Sequence, residues 1–284
     1  MQRVKVKKMI SKDQILADVR RALDEDVGSG DVTAMLLPDD KIVDALILSR
    51  EPMLVCGQSW VECAFSQLDE TIKINWLVKE GDWLNHPQTL CHIHGLVRPI
   101  LTAERTALNF MQTLSATATQ THYYLQALNG FKTRLLDTRK TLPGLRRAQK
   151  YAVACAGATN HRLGLYDAFL IKENHINACG SVRLAVELAR HAHRDILIEI
   201  EVESLDELRQ ALDAKPDRIL LDNFSLDMLS DAVSINQQRC ELEASGGVDL
   251  STIAQIAATG VDYISVGSIT KSIQAIDLSL LLQP

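Results

Sequence analysis

The stretch LLDTRKTLPGLRRAQKYAVACAGATNHRLGLYDAFLIKENHI, residues Leu135 to Ile176, decides the fold. Leu135-Leu136 reads as the end of a strand, Pro143 as the first residue of a helix running through Tyr151 to about Cys155, and Ala168 to Ile171 as the next strand. Strand, helix, strand is the unit of a parallel sheet. Arg139, Lys140 and Lys172 then fall just past strand C-termini, where loops gather ligands over a rigid sheet. Between Arg139 and Lys172 stand seven Lys or Arg against one acid, Asp167, in a chain of net charge -6. A local cationic cluster on an acidic protein focuses small anions without making the surface adhere to nucleic acid.

The same rhythm continues outward. Strands are predicted at about Thr133 to Leu136, Ala168 to Ile171, Ile196 to Val202, Arg218 to Leu221, Leu242 to Ser245 and Tyr263 to Val266, alternating with helical stretches. Such alternation predicts a parallel sheet wound in one sense. Roughly six strands are visible where a closed barrel needs eight, so the expectation is an α/β fold with an open or irregular parallel α/β barrel. The open side would be covered by another domain or chain. Each strand ends in polar chemistry: Asp137 to Lys140, Lys172 to His175, Glu201 and Glu203, Asp222-Asn223, Ser245-Gly246-Gly247, and Gly267-Ser268. A complete series of polar strand ends describes the rim of an active site.

Upstream, Ile15, Leu16, Val19 and Leu23 recur at helical spacing behind Ser11 as cap, and Asp26 to Gly30 ends the helix. GSGD lacks the lysine of a phosphate loop and reads as a helix stop. Asp44 to Arg50 and Thr71 to Val78 read as strands, and Gln58 to Gln67 as a helix. VKEGDWL resembles the hairpin turn of biotinyl and lipoyl carriers but offers no suitably placed acceptor lysine, so it reads as an ordinary turn. His92 and His94 share a strand face, compatible with a metal yet lacking a third ligand. A long helix is predicted from Thr102, with Arg105 in its first turn and Leu108, Met111 and Leu114 on its apolar face. These elements form an N-terminal α/β sandwich domain at 1–115, followed by the barrel at 116–270 and a C-terminal helix, 271–284, returning to the first domain.

With 284 residues, 46% of them hydrophobic, the chain can bury a substantial core. The basic start MQRVKVKK is followed by no apolar run, and no stretch approaches a membrane span. The cytoplasm is therefore the expected compartment. Six scattered cysteines without a paired spacing are expected to be reduced, with no disulfide framework and no structural zinc site.

The barrel strands also carry the chemistry. Glu199, Glu201 and Glu203 alternate onto one face, where a buried row of acids requires cations or a metal, and Glu201 is the member chosen as functional. Asp222 ends ILLD, an apolar run typical of an interior parallel strand, and serves either the site or the turn that follows. Together they could hold Mg2+ or accept hydrogen bonds from sugar hydroxyls. Ser245-Gly246-Gly247 and Gly267-Ser268 follow the last two strands, where backbone N–H groups cradle phosphate. Arg139, Arg162 and Lys172 suit a planar dicarboxylate. His161 could donate to the ligand or merely fix the loop.

DTRKT, then LR and KYAV, then NHR-GL-D, then LIK-NHI, closely resemble the signature of the quinolinate phosphoribosyltransferases, the decarboxylating nicotinate-nucleotide pyrophosphorylases. The resemblance extends through LDEDVGSGDVT at Leu23 to Thr33, LTAERTALNF at Leu101 to Phe110, EASGG at Glu243 to Gly247 and SVGSIT at Ser265 to Thr270. It implies conversion of quinolinate and phosphoribosyl pyrophosphate into nicotinate mononucleotide, pyrophosphate and carbon dioxide, with Mg2+, in NAD biosynthesis. By resemblance, Arg105 from a neighbouring subunit, Arg139, His161, Arg162 and Lys172 surround the quinolinate carboxylates. Lys140, Glu201 and Asp222 face the phosphoribosyl pyrophosphate and its Mg2+, and Ser245, Gly246, Gly247 and Gly267 take the ribose phosphate. A homodimer, or a hexamer built from it, would follow from Arg105. The chain departs from the family at Ala156 and Ala158, where glycines are usual, at Ser115-Ala116-Thr117, and at Lys271, where histidine is common. Rival readings are a phosphoribosyltransferase acting without decarboxylation and a catalytically silent binder on the same fold.

Overall fold

Alternation of inward and outward residues builds the first of two units in a computed structural model that describes residues 10–283. The basic start MQRVKVKK lies outside the described residues. The first unit comprises the chain up to His122, Pro143–Gly157, and the chain from Ser272 onward. It contains α1 (Lys12–Val27), β1 (Ile42–Ser49), β2 (Met53–Leu54), α2 (Gln58–Leu68), β3 (Lys73–Trp76), β4 (Trp83–Leu84) and β5 (Gln88–Leu96). A 31-residue helix, α3 (Val97–Ala127), follows.

Along β1, Ala45, Ile47 and Ser49 turn inward and their neighbours outward, the period of two that a half-buried strand requires. β1 pairs with β5 in antiparallel register, Ala45 opposite Ile93 and Ile47 opposite Cys91. Along α3, Ile100, Ala103, Ala107, Leu108, Met111 and Leu114 are buried at three- and four-residue spacing, which places them on one stripe of the helix. Trp60 and Phe65 of α2 join that core, each large side chain contributing about 1.5–3 kcal/mol through burial. Asp18 of α1 is buried too, because it accepts from Trp60 Nε1 at 3.2 Å and Gln14 Nε2 at 2.9 Å.

The second unit, Tyr123–Leu142 with Ala158–Lys271, holds the predicted parallel sheet. Its strands are β6 (Arg134–Leu136), β7 (Phe169–Ile171), β8 (Ile198–Val202), β9 (Arg218–Asp222), β10 (Glu241–Ser245) and β11 (Tyr263–Ser265), in spatial order β6-β11-β10-β9-β8-β7. Every pairing is parallel. β6 and β7 are not paired, so the sheet stays an open, barrel-like array, extended beside Leu136 by a single parallel bridge to Thr159. The connecting helices are α5 (Glu173–Cys179), α6 (Val182–Ala192), α7 (Leu205–Ala214), α8 (Leu226–Asn236), α9 (Ile253–Ala258) and α10 (Ser268–Lys271). Ser181, Ser204 and Ser225 each accept from a backbone N–H at the start of α6, α7 and α8, the N-cap bond that satisfies an orphan donor.

Several boundaries differ from the sequence expectation. The helix after β6, α4 (Arg146–Cys155), starts at Arg146 rather than Pro143, because Gly144 adopts φ +76 and breaks helical geometry. Its segment groups with the first unit, so the barrel does not own all of 116–270. α3 begins at Val97, with Pro99 in its first turn, and Arg105 therefore lies beyond that turn. The expected C-terminal helix is instead a strand, β12 (Leu278–Leu282), antiparallel to β1. Leu278 and Leu280 turn inward around Ser279, a period of two that is incompatible with a helix stripe.

Candidate active site

The C-terminal ends of the six parallel strands converge on a cavity of about 260 Å³. It is lined by Thr138, Arg139 and Lys140 after β6, His161 and Arg162 from the following loop, Lys172 after β7, Glu201 of β8 and Asp222 of β9. Glu243 and Ser245 of β10 and Ser265 of β11 complete the polar wall, with Leu170 and Leu220 as its apolar part. Parallel register sets these neighbours: Ser245 stands opposite Asp222, and Ser265 opposite Leu136.

The loop carrying His161 and Arg162 is built on two acids. Buried Asp137 accepts from the His161 backbone N–H at 2.8 Å and from Asn160 Nδ2. Asp167 accepts from Leu163 N–H at 2.7 Å and Gly164 N–H at 2.9 Å, which closes the RLGLYD turn behind Arg162. Arg162 Nη1 donates to Ala168 O at 3.2 Å. Burial and the charge of Arg139 lower the Arg162 pKa, yet a guanidinium stays charged at neutral pH. His175 Nδ1 accepts from the Lys172 N–H at 3.0 Å and so fixes the base of Lys172. The spaced NHR-GL-D and LIK-NHI patterns are thus scaffolding for two cations, Arg162 and Lys172.

Opposite them stand the acids. Lys172 Nζ makes a short ion pair with Glu201 Oε2, with Lys172 about half exposed and Glu201 largely covered. Asp222 Oδ2 accepts from Asn223 Nδ2 at 2.8 Å, so it serves both the turn and the cavity. Burial raises the Asp222 pKa and the charge of Glu201 adds to it, while Lys172 and Lys140 oppose the rise. Glu201, Glu203 and Asp222 bring one oxygen each within 4.8 Å of one another. An all-oxygen, partly exposed set fits a hard divalent cation such as Mg2+.

His161 stands between Arg162 and two buried acids. Its Nδ1 accepts from the Arg162 N–H at 2.8 Å, and its Nε2 lies 2.8 Å from Glu199 Oε2 and 3.6 Å from Glu243 Oε2. The Nδ1 bond holds the ring beside Arg162, and His161 also lines the cavity. Of these acids, Glu199 belongs to the row expected on β8, whereas Glu243 is not among the expected site residues. Both are fully buried, and neither Glu199 oxygen receives a directed hydrogen bond. Burial raises both pKa values, that of Glu243 to about 8, with mutual repulsion as its second cause. Arg218 supplies the compensating charge, 3.4 Å from Glu243 and 3.1 Å from Glu241, with its guanidinium 4.0 Å above the Tyr263 ring. The alternation of Glu199 with Glu201 is a usable signal, and β10, Glu-Leu-Glu-Ala-Ser, repeats it at Glu241 and Glu243.

The glycine loops interlock. Gly246 has φ +98, and a Cβ there would fall 2.1 Å from Asn223 Oδ1. Gly267 lies against Lys140, whose Cδ would be 3.0 Å from an added Cβ, and Thr270 Oγ1 donates to Lys140 O at 2.7 Å. Gly247, at φ +60, faces open space. Arg105 is exposed on α3 in the first unit and is not among the residues lining this cavity. His92 and His94 are exposed on β5, His94 paired with Asp44 at 2.8 Å.

A barrel-like parallel sheet whose rim sets cations against carboxylates beside glycine loops defines an enzyme that handles a phosphorylated sugar and an anionic acceptor. Residues 117–281 match the family model described as the C-terminal domain of quinolinate phosphoribosyl transferase, and residues 31–115 match that of its N-terminal domain. The chain is 41% identical over 272 residues to the nicotinate-nucleotide pyrophosphorylase [carboxylating] of Mycobacterium leprae, covering 92% of this chain and 95% of that protein. It is 37% identical over 257 residues to the probable enzyme of that name from Bacillus subtilis, covering 90% and 89%. The structure of the nicotinate-nucleotide pyrophosphorylase from Francisella tularensis superposes with a TM-score of 0.94 at 48% identity, covering 96% and 98%. The chain belongs to the quinolinate phosphoribosyltransferase family and is a pentosyltransferase.

Proposed function

We propose that this cavity transfers the phosphoribosyl group of phosphoribosyl pyrophosphate to quinolinate and releases carbon dioxide, yielding nicotinate mononucleotide and pyrophosphate for NAD biosynthesis. The observation that carries the reading is the convergence of Arg139, Lys140, Arg162 and Lys172 with Glu201 and Asp222 in one cavity. An aromatic dicarboxylate needs planar, paired donors, which the two arginines supply, and Lys172 adds a point charge. Lys172 meets Glu201 in the free enzyme, so an incoming carboxylate shares that cation instead of meeting a solvated one.

Glu201 and Asp222 face the ribose, where their negative charge opposes the positive charge developing at its anomeric carbon as pyrophosphate departs. Lys140 stands by for the pyrophosphate, and Ser245, Gly246, Gly247 and Gly267 take the 5-phosphate through backbone N–H groups. Mg2+ held by Glu201 and Asp222, with Glu203 near, would neutralise pyrophosphate charge. Once the pyridine nitrogen is glycosylated it becomes a cationic electron sink; Arg139 and Arg162 hold the ring while the 2-carboxylate leaves as carbon dioxide and the electron pair left at C2 takes up a proton. Arg105, exposed on α3, completes the site of a second copy in a homodimer, or in a hexamer assembled from dimers. The reducing cytoplasm is the proposed compartment, in keeping with six free cysteines. Among the described residues no helix is long and apolar enough to cross a membrane.

The test supplies purified protein with phosphoribosyl pyrophosphate, Mg2+ and quinolinate labelled in its 2-carboxylate, with nicotinate as control. Nicotinate mononucleotide and labelled carbon dioxide, with no product from nicotinate, are expected. Product from nicotinate alone would replace this reading with a non-decarboxylating one, and binding without turnover would leave a silent binder.

A further inference from the structure

Cys56, Glu80 and Cys155 come from three separate stretches of the first unit, and one ligand atom of each lies within 4.8 Å of the other two. Cys56 is fully buried on the segment leaving β2. Ser115 holds its backbone in both directions, accepting from Cys56 N–H at 3.0 Å and donating to Cys56 O at 2.9 Å. Glu80 sits in the turn before β4, which is tied down by Gly81 N–H to Val55 O at 2.8 Å. Cys155 is the last residue of α4 and stays partly exposed. None of the three takes part in the cavity described above.

The carboxylate is aimed rather than loose. Glu80 Oε1 accepts from Gly57 N–H at 2.9 Å and from the Tyr151 hydroxyl at 3.0 Å, and Oε2 accepts from Gln58 N–H at 3.1 Å. These bonds occupy three of its roughly four lone-pair positions, and the Cys56 thiol, which also bonds Cys155, hydrogen-bonds the same carboxylate, so a cation would replace the thiol proton there. Burial drives the Cys56 thiol well up, Cys155 and Glu80 reinforcing the rise, and burial raises Glu80 as well. Two thiols and a carboxyl packed together disfavour one another's ionised forms, and a cation reverses the sign of each of those interactions.

We propose that Cys56, Cys155 and Glu80 form a binding site for a borderline-soft divalent cation, zinc by its donor chemistry, with water in the fourth position on the exposed side of Cys155. Tetrahedral zinc with Zn–S bonds of about 2.3 Å places two sulfurs ~3.8 Å apart, inside the 4.8 Å that bounds the three ligand atoms here. Sulfur donors select against Mg2+, so this site is chemically separate from the all-oxygen set at Glu201 and Asp222. Local cysteine spacing argued against zinc, yet the fold makes the pair from residues remote in the chain. Bound metal would tie an extended segment, a turn and a helix end together, and stabilise the folded chain by mass action.

The test titrates the purified full chain, stripped with a chelator, with Cd2+ and follows thiolate-to-metal charge-transfer absorption. One Cd2+ per chain is expected, displaced by zinc and not by excess Mg2+. Cys155→Ser, Cys56→Ser and Glu80→Gln should each weaken zinc affinity by ~100-fold or more, while Cys63→Ser leaves it unchanged. Cys155→Ser, at the exposed edge, guards against misfolding: its metal-free unfolding midpoint should match that of the natural chain, and zinc should raise only the latter. No stoichiometric absorption, absorption that survives Cys155→Ser, or a Cys56–Cys155 disulfide persisting in reductant would each overturn the proposal.

Discussion

Glu243 carries the sharpest single-residue consequence of this fold. Its carboxyl titrates at about 8, against an ordinary value of 4.5, because it is buried beside Glu199. A raised acid binds its proton more tightly in the folded chain, so its contribution is intact below the ordinary value and is lost as pH climbs toward 8. Glu199 shifts the same way. The urea-unfolding midpoint should therefore decline between pH 5 and pH 8, and Glu243→Gln, which keeps the shape of the protonated acid, should flatten much of that decline. An unchanged slope would show that the pair does not hold a proton. Residues at this scale were only partly legible beforehand. Lys172, Glu201 and Asp222 could be placed because they end strands, whereas the burial of Glu199 and Glu243 depends on β8 and β10 being covered on both faces.

At the scale of elements, the loops after β9 and β10 act as one part. Gly246 approaches Asn223 so closely, and at so positive a φ, that any Cβ collides with the amide that also donates to Asp222. Gly246→Ala should cost about 1–3 kcal/mol of stability from backbone strain. It should raise the KM for phosphoribosyl pyrophosphate more than that for quinolinate; equal effects on both would detach this loop from the sugar phosphate. Strand and helix order could be read ahead because alternation and caps are local signals. The misplaced boundaries share a different cause. The sequence predicts a helix start at Pro143, but the left-handed Gly144 delays the helix to Arg146. The leucines of β12 became a strand because β1 offered an unpaired edge.

For the whole molecule the decisive question is whether Arg105 serves a second copy. In a two-fold dimer each site would draw Arg105 from one chain and Asp222 from the other. Arg105→Ala and Asp222→Asn chains should then be nearly inactive alone, yet regain about a quarter of natural activity after mixing and random reassortment, because half the dimers are mixed and each holds one intact site. No recovery, with exchange of chains verified by mass, would place Arg105 in its own chain's chemistry or outside the site.

The amino-acid order by itself determined the parallel α/β alternation, the polar rim and the reaction family, because hydrophobic period, capping residues and motif spacing are short-range properties that survive any packing. Tertiary structure alone decided that His161 stands against the buried acids Glu199 and Glu243, that residues 278–282 close the antiparallel sheet, and that Cys56 meets Cys155 beside Glu80. Those outcomes hang on which remote surfaces exclude water together. A single chain position carries no record of that until its neighbours arrive.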